Sequence, residues 1–153
     1  MAQTPFYMCG KEGPMDILII DSQGGGMGRQ LVSAVKEQFP QAHVTAVGTN
    51  SAATAAMLKV GPDAAATGEN AVVVGCRRAD IIAGPLGIVI ADALLGEITP
   101  AMAAAVGQSR AKRILIPVNH CDNIVVGVQD LNLGRLIQEA VELIAAEVKK
   151  KEA

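Results

Sequence analysis

Residues 16–30 read DILIIDSQGGGMGRQ, an apolar run that leads into four glycines within five positions and then into a segment of helical periodicity. A strand that turns into a helix through glycines predicts a βα unit whose turn can lie close to a ligand. The first N–H groups of such a helix face the turn and favour a bound anion, most often a phosphate. The stretch therefore predicts an α/β fold and locates a binding site, but it defines no reaction.

Apolar runs of strand length alternate with longer amphipathic runs along the chain, which is typical of βαβ units in a parallel sheet. We predict strands at residues 16–21, 43–47, 64–66, 80–83, 113–118 and 124–128. We predict helices at residues 27–38, 50–60, 71–78, 88–95, 99–109 and 132–150. The run at 71–78 is ambiguous: its β-branched content favours a strand, whereas Asn70 as a cap and the need for a crossover favour the helix that we prefer.

The last two predicted strands are separated by only five residues, 119–123. Five residues are too few for a parallel crossover, so the sixth strand should return antiparallel at an edge. The fold predicted is a three-layer, Rossmann-like α/β open sheet, mainly parallel, with about six strands and an antiparallel edge strand near the C-terminus. We expect one such domain at residues 15–150 and a flexible N-terminal extension at residues 1–14, and Met15 could be the native start instead of Met1.

The composition excludes several classes of protein. The 153 residues are 50% hydrophobic but only 2% aromatic, and the net charge is -2. A chain with no basic excess and few aromatic rings lacks the surface that binds nucleic acid. We also expect no membrane partner, because no apolar run reaches the roughly 20 residues that cross a bilayer. Three widely spaced cysteines, Cys9, Cys76 and Cys121, fit the reducing cytoplasm.

Glycines and small polar residues follow each of the first five predicted strands. Since the carboxyl ends of parallel strands meet at one edge of a sheet, we expect a cleft there. An ordinary turn is the competing interpretation of each single cluster, because βα turns need glycines and caps in any case. The residues that we expect to bind the ligand are Asp21, Gly24, Gly25, Gly26, Gly28, Arg29, Thr49, Asn50, Ser51, Gly84, Pro85 and Asn119.

The glycine-rich turn matches the dinucleotide fingerprint G-x-G-x-x-G only in part. Gly24 and Gly26 fit, but Arg29 stands in the place of the third glycine. No Asp or Glu occurs between Glu37 and Asp63, so the carboxylate that would bind a ribose hydroxyl is absent.

Two other motifs also fail to match within the predicted domain. Arg29 and Gln30 occupy the place of the P-loop Lys-Ser/Thr pair. Short-chain dehydrogenases need a Tyr-x-x-x-Lys pair, and the only tyrosine, Tyr7, lies in the N-terminal extension. What remains is an anion-binding turn with an arginine beside it. The alternative is a glycine turn that serves only close packing of helix on sheet.

Few residues outside the turn suggest chemistry. Asp21 could hold Mg²⁺ or a sugar hydroxyl, or it could bond the N–H groups of its own turn. His120 and Cys121 are neighbours on an extended segment and point to opposite sides, so they form a poor dyad, although thiol chemistry at Cys121 stays an alternative. His43 and His120 lack metal-ligand spacing, so we expect no metal. Glu97 is interpreted as a loop residue.

Four stretches of the sequence resemble one family. They are IIDSQGGGMGRQL, VGTNSAATAAML, ATGENAVVVGCRRADIIAGPLGIVIADALLGEITPAM and ILIPVNHCDNIVVGV. The chain is similar over about residues 16–144 to a family of small bacterial proteins known as a domain of unknown function, number thirty-eight forty-two. The resemblance implies a single Rossmann-like domain and assigns no activity or catalytic residue. A weaker similarity links the turn to the GxGxMGR turn of prephenate-type dehydrogenases and stops at Arg29.

The leading hypothesis is a protein that binds a phosphate-containing small molecule, a nucleotide or dinucleotide, at the glycine-rich turn, with the reaction undefined. The first alternative is a non-enzymatic homo-oligomeric regulatory or scaffold protein, and the small residues at 101–107 suit close helix contact in its interface or in the core. The second alternative is an NAD(P)-dependent oxidoreductase. We expect a homo-oligomer in each case.

Overall fold

The structure is a computed structural model that describes residues 13–118 and 122–153. Within these residues the strands are β1 (Asp16–Asp21), β2 (His43–Gly48), β3 (Ala64–Thr67), β4 (Ile81–Pro85) and β5 (Lys112–Ile116). The α-helices are α1 (Gly26–Gln38), α2 (Ser51–Leu58), α3 (Glu69–Arg78), α4 (Pro100–Gln108) and α5 (Leu133–Glu152), and a 3₁₀ helix spans Leu86–Val89.

The sheet has the strand order β3-β2-β1-β4-β5, and every neighbouring pair is parallel. β1 lies in the centre, where Ile19 is opposite Ala46 of β2 and Ala83 of β4. The chain runs outward from β1 to β3 and then crosses back to β4, so the strand order reverses between β1 and β4. A crevice at the carboxyl ends of these two strands follows from that reversal.

Helices cover both faces of the sheet, which confirms the predicted three-layer α/β fold. On β1, Ile17 and Ile19 pack in the core shared with α1, α2 and α5. Leu18 and Ile20 face the core shared with α3 and α4. Each of these four side chains is at most 2% exposed. Burial on both faces explains why β1 is a continuous apolar run and shows no alternation.

The predicted antiparallel edge strand at residues 124–128 is wrong, because no strand occurs within the described residues 122–132. Gly127 takes a left-handed conformation with φ 83°. Ile124 and Val126 are 95% and 96% exposed. β-Branched residues favour a strand only where tertiary contacts bury one of their faces, and the side chains of Ile124 and Val126 stay exposed. The described sheet therefore has five strands, all parallel.

The helix predicted at residues 88–95 is also wrong. After the 3₁₀ helix, the chain forms a tight loop at residues 90–98 in which Asp92, Leu94 and Leu95 have φ values of 64°, 56° and 58°. The loop is closed by a hydrogen bond of 2.8 Å from Asp92 N to Ile98 O. The β-branched residues at 88–90 are poor helix formers, and left-handed residues cannot continue a right-handed helix. The ambiguous run at 71–78 is a helix, as we preferred.

The predicted N-terminal extension at residues 1–14 lies outside the described residues except for Gly13 and Pro14. Its flexibility therefore stays a prediction. Among the described residues, no helix is both long enough and apolar enough to cross a membrane.

Candidate functional site

A cleft of about 340 Å³ lies at the carboxyl ends of β1 and β4. One side is formed by residues 21–27, which belong to the glycine loop, defined here as residues 21–28. The other sides are formed by Pro85, Leu94, Val118 and Leu133. The cleft thus lies where the strand order reverses, which is the usual position of ligands in open α/β sheets. Its volume falls at the lower end of small-molecule sites, roughly 300–1,000 Å³.

Three backbone N–H groups of the glycine loop, those of Gly24, Gly26 and Met27, have no acceptor among the described residues. The first hydrogen bond of α1 runs from Arg29 N to Gly25 O at 2.9 Å, so the preceding N–H groups have no partner within the helix. All three residues line the cleft. Unpaired N–H groups at a helix N-terminus carry partial positive charge and are suited to bind an anion.

The four glycines of the loop have two different structural roles. Gly25 has φ 71°, and a Cβ there would lie 2.6 Å from the carbonyl oxygen of Ala53 in α2. A Cβ at Gly28 would lie 2.6 Å from the sulfur of Met57 and 2.7 Å from Cβ of Asp21. Gly24 and Gly26 have open space at the corresponding position. Gly25 and Gly28 are therefore required for close packing, whereas Gly24 and Gly26 line the cleft without packing against a neighbouring element.

Asp21 is 5% exposed and both of its carboxylate oxygens bond the glycine loop. Oδ1 accepts from Ser22 N at 2.8 Å, and Oδ2 accepts from Gly28 N at 2.6 Å. Burial raises the pKa of this carboxyl, the hydrogen bonds from Gly28 and Ser22 oppose that rise, and the charge of Glu97 adds to it. Of the roles considered for Asp21, the structure therefore shows the bonding of its own turn.

Glu97 connects three loops at the edge of the cleft. Its Oε2 accepts from Gln23 N at 2.7 Å, and its Oε1 accepts from Asn50 Nδ2 at 2.6 Å. Asn50 Nδ2 also donates to Gln23 O at 3.0 Å, and Asn50 Oδ1 caps α2 by accepting from Ala53 N at 2.9 Å. Sequence reasoning missed Glu97 because it lies 74 positions from Gln23 and follows no pattern.

The structure brings five of the predicted binding residues to the lining of the cleft. These are Asp21, Gly24, Gly25, Gly26 and Pro85. Gly28 packs behind the loop instead. Arg29 is exposed on α1 and does not line the cleft.

Four more of the predicted residues also lie outside the lining, namely Thr49, Asn50, Ser51 and Gly84. Thr49 N donates to Asp21 O at 3.0 Å, and Thr49 Oγ1 is buried without a partner among the described residues. Ser51 is exposed at the start of α2, and Gly84 packs against the backbone of Ile20. Asn119, together with the proposed thiol at Cys121, lies outside the described residues.

The described part of the chain offers few other reactive groups. It contains no cluster of three His, Cys, Asp or Glu side chains that could hold a metal ion. Burial raises the pKa of the Cys76 thiol to about 11, so this cysteine stays protonated at neutral pH. His43 lies at the amino end of β2, away from the cleft, with its Nδ1 3.3 Å from Asp16 Oδ1.

Comparison with known proteins identifies the family of the chain and assigns it no activity. No curated protein matches the chain. Among solved structures, the chain shows a distant similarity to the dodecameric FMN-dependent UbiX-like decarboxylase from Escherichia coli O157:H7, with 16% identity, a TM-score of 0.42, and coverage of 87% of this chain and 76% of that chain. The family model "Domain of unknown function (DUF3842)" matches residues 16–149. The chain therefore belongs to this family.

Proposed function

We propose that the protein binds a phosphate-containing small molecule, a nucleotide in the simplest case, at the glycine loop. The observation that carries the proposal is the set of unpaired N–H groups of Gly24, Gly26 and Met27 along the cleft. In this proposal the phosphate accepts from these groups and lies on the axis of α1, where the helix dipole favours negative charge. Arg29 takes no part, because its side chain is on the exposed side of α1.

The remainder of the ligand would contact the apolar side of the cleft, formed by Pro85, Leu94, Val118 and Leu133. A ring or base is suited to such a surface. A dinucleotide would also need a partner for its ribose at the end of β2. There, Asn50 is already bonded to Glu97 and Ala53. These contacts favour a mononucleotide over the dinucleotide of an NAD(P)-dependent oxidoreductase.

The proposal is tested by measuring the melting temperature of the protein with inorganic phosphate, nucleoside mono-, di- and triphosphates, dinucleotides and sugar phosphates. A ligand at 100 times its Kd adds roughly 2.7 kcal/mol to the free energy of unfolding. For a domain of this size that is a rise of several degrees. A panel without any rise would contradict the proposal.

A matched pair of variants then tests whether the ligand binds at the glycine loop. Gly26→Val puts a branched side chain into the cleft, so the ligand-induced rise should disappear. Gly107→Val makes the same change at a glycine of α4 that also has open space around it, and the rise should persist. An unchanged rise in Gly26→Val would exclude the glycine loop as the binding site.

A second candidate function is a non-enzymatic homo-oligomeric regulatory or scaffold protein, in which the glycine loop only turns the chain. The exposure of Ile124 and Val126, at 95% and 96%, favours it. A phosphate ligand bound at Gly26 of a monomer would reject this second candidate.

A further inference from the structure

We propose that Glu97 is the positioning residue of the cleft: it holds the glycine loop in the conformation that presents its N–H groups, and it holds Leu94 on the opposite side. The effect on ligand affinity rests on the proposed function, whereas the effect on the loop does not. No sequence pattern points to this residue.

The chemistry of the contacts requires a carboxylate at position 97. Both partners of the side chain are donors, namely the N–H of Gln23 at 2.7 Å and the amide NH₂ of Asn50 at 2.6 Å. A carboxylate has two acceptor oxygens and satisfies both donors at once, and its charge strengthens both bonds. A glutamine would satisfy one donor and turn its own NH₂ group toward the other.

The contact with Gln23 controls the backbone of the glycine loop. Gln23 has φ 52°, a left-handed conformation that costs a non-glycine residue free energy and persists only where neighbouring contacts hold it. Glu97 bonds the N–H of Gln23, and Asn50 bonds its carbonyl at 3.0 Å. Gly24 follows directly, so the peptide orientation at Gln23 determines where the N–H groups of Gly24, Gly26 and Met27 point.

Glu97 also determines the position of the apolar side of the cleft. Leu94, which lines the cleft, accepts a hydrogen bond at its carbonyl from Glu97 N at 3.2 Å. The loop at residues 90–98 is further closed by the bonds from Gly96 N to Asp92 O and from Ile98 N to Ala93 O, each 3.2 Å. Because this loop is internally bonded, the carboxylate of Glu97 sets the distance between Leu94 and the glycine loop.

The direction in which Glu97→Gln changes the Kd distinguishes a positioning role from electrostatic repulsion. A carboxylate beside an anion site repels the ligand, so Coulomb's law alone predicts that Glu97→Gln binds phosphate ligands more tightly. A positioning role predicts that Glu97→Gln binds more weakly. The glycine loop of the variant would spend less time in the conformation that binds the ligand, and the apparent Kd would rise in proportion.

The experiment is isothermal titration of the wild type, Glu97→Gln and Glu69→Gln with the ligand that gives the largest rise in melting temperature. We expect Glu97→Gln to bind about tenfold more weakly. Glu69→Gln removes the same charge from an exposed position in the first turn of α3 and should leave the Kd unchanged. Equal or tighter binding by Glu97→Gln would overturn the inference.

A measurement without ligand keeps the two proposals separate. Amide hydrogen exchange at Gln23 should be about tenfold faster in Glu97→Gln than in the wild type, because the N–H loses its acceptor. Asn50→Asp should speed the exchange at Gln23 as well. The aspartate still caps α2, but its carboxylate repels the carboxylate of Glu97. Unchanged exchange in both variants would refute the positioning role. Faster exchange in a protein that binds no phosphate ligand would support it and reject only the proposed function.

Discussion

At the scale of single residues, Gly25 and Gly26 are neighbours, and we expect the same substitution to destabilise the protein strongly at Gly25 and only slightly at Gly26. Gly25→Ala places a Cβ 2.6 Å from Ala53 O at φ 71°, so it should lower the free energy of unfolding by about 2 kcal/mol or more. Gly26→Ala meets open space at the start of α1 and should change it by less than about 1 kcal/mol. Urea unfolding of both variants measures this difference. Equal destabilisation would contradict the assigned roles.

Because the carboxyl of Asp21 is buried, we expect it to make the free energy of unfolding depend on pH. Its pKa in the folded protein is raised above the ordinary value of 3.8, chiefly by burial, so the folded state binds the proton more tightly than the unfolded state. The wild type should therefore gain stability relative to Asp21→Asn as the pH falls from neutral toward 3.8, and lose it again as the pH rises through the folded pKa. Chemical unfolding of both proteins over that range gives the difference. A difference that shrinks on acidification would show that the hydrogen bonds from Gly28 and Ser22 outweigh burial.

At the scale of secondary-structure elements, the loop at residues 90–98 stores strain that a substitution can relieve. Leu95 is 96% exposed and has φ 58°, so it buries little and is held in a conformation that Asn adopts more readily. We expect Leu95→Asn to raise the free energy of unfolding by about 0.5–1 kcal/mol. Leu58→Asn, at a 53% exposed leucine of α2, should lower it, since burial and helix propensity are both lost. The loop would not be strained if both changes destabilised the protein equally.

Elements were predictable where the sequence marks their ends. β1 has the predicted bounds, because a charged residue stands at each end of a run that is buried on both faces. The helix predicted at residues 99–109 is α4, which begins at Pro100 after Thr99, and the Thr99 hydroxyl caps it by accepting from Met102 N at 3.2 Å. The segments 88–95 and 124–128 were predicted from β-branched and apolar content alone. Such content is compatible with several backbone conformations, and the contacts that decide among them come from distant parts of the chain.

At the scale of the whole molecule, the location of the cleft and the glycine-loop side of its lining followed from the sequence, but most of its apolar side did not. Alternating strands and helices fix which strand ends share an edge, and the reversal between β1 and β4 places the crevice. The lining depends on tertiary contacts: Leu94, Val118 and Leu133 come from three separate segments. Asn50 looked like a ligand residue by its position, yet its amide is bonded to Glu97.

The exposed apolar side chains at residues 124–128 favour association between copies of the chain. Ile124 and Val126 are almost fully exposed, at 95% and 96%, and Val125 and Val128 beside them are partly exposed. A contiguous exposed apolar patch of this kind marks an interaction surface. With a net charge of only -2, electrostatic repulsion between copies is weak. We therefore expect the wild type to sediment as a homo-oligomer and the double variant Ile124→Asp, Val126→Asp to sediment at a lower mass. Leu58→Asp introduces one such charge at an exposed leucine of α2 and should leave the mass unchanged. A wild type that is monomeric throughout the micromolar range would reject the oligomer, and with it the scaffold alternative, while the phosphate-binding proposal would stand.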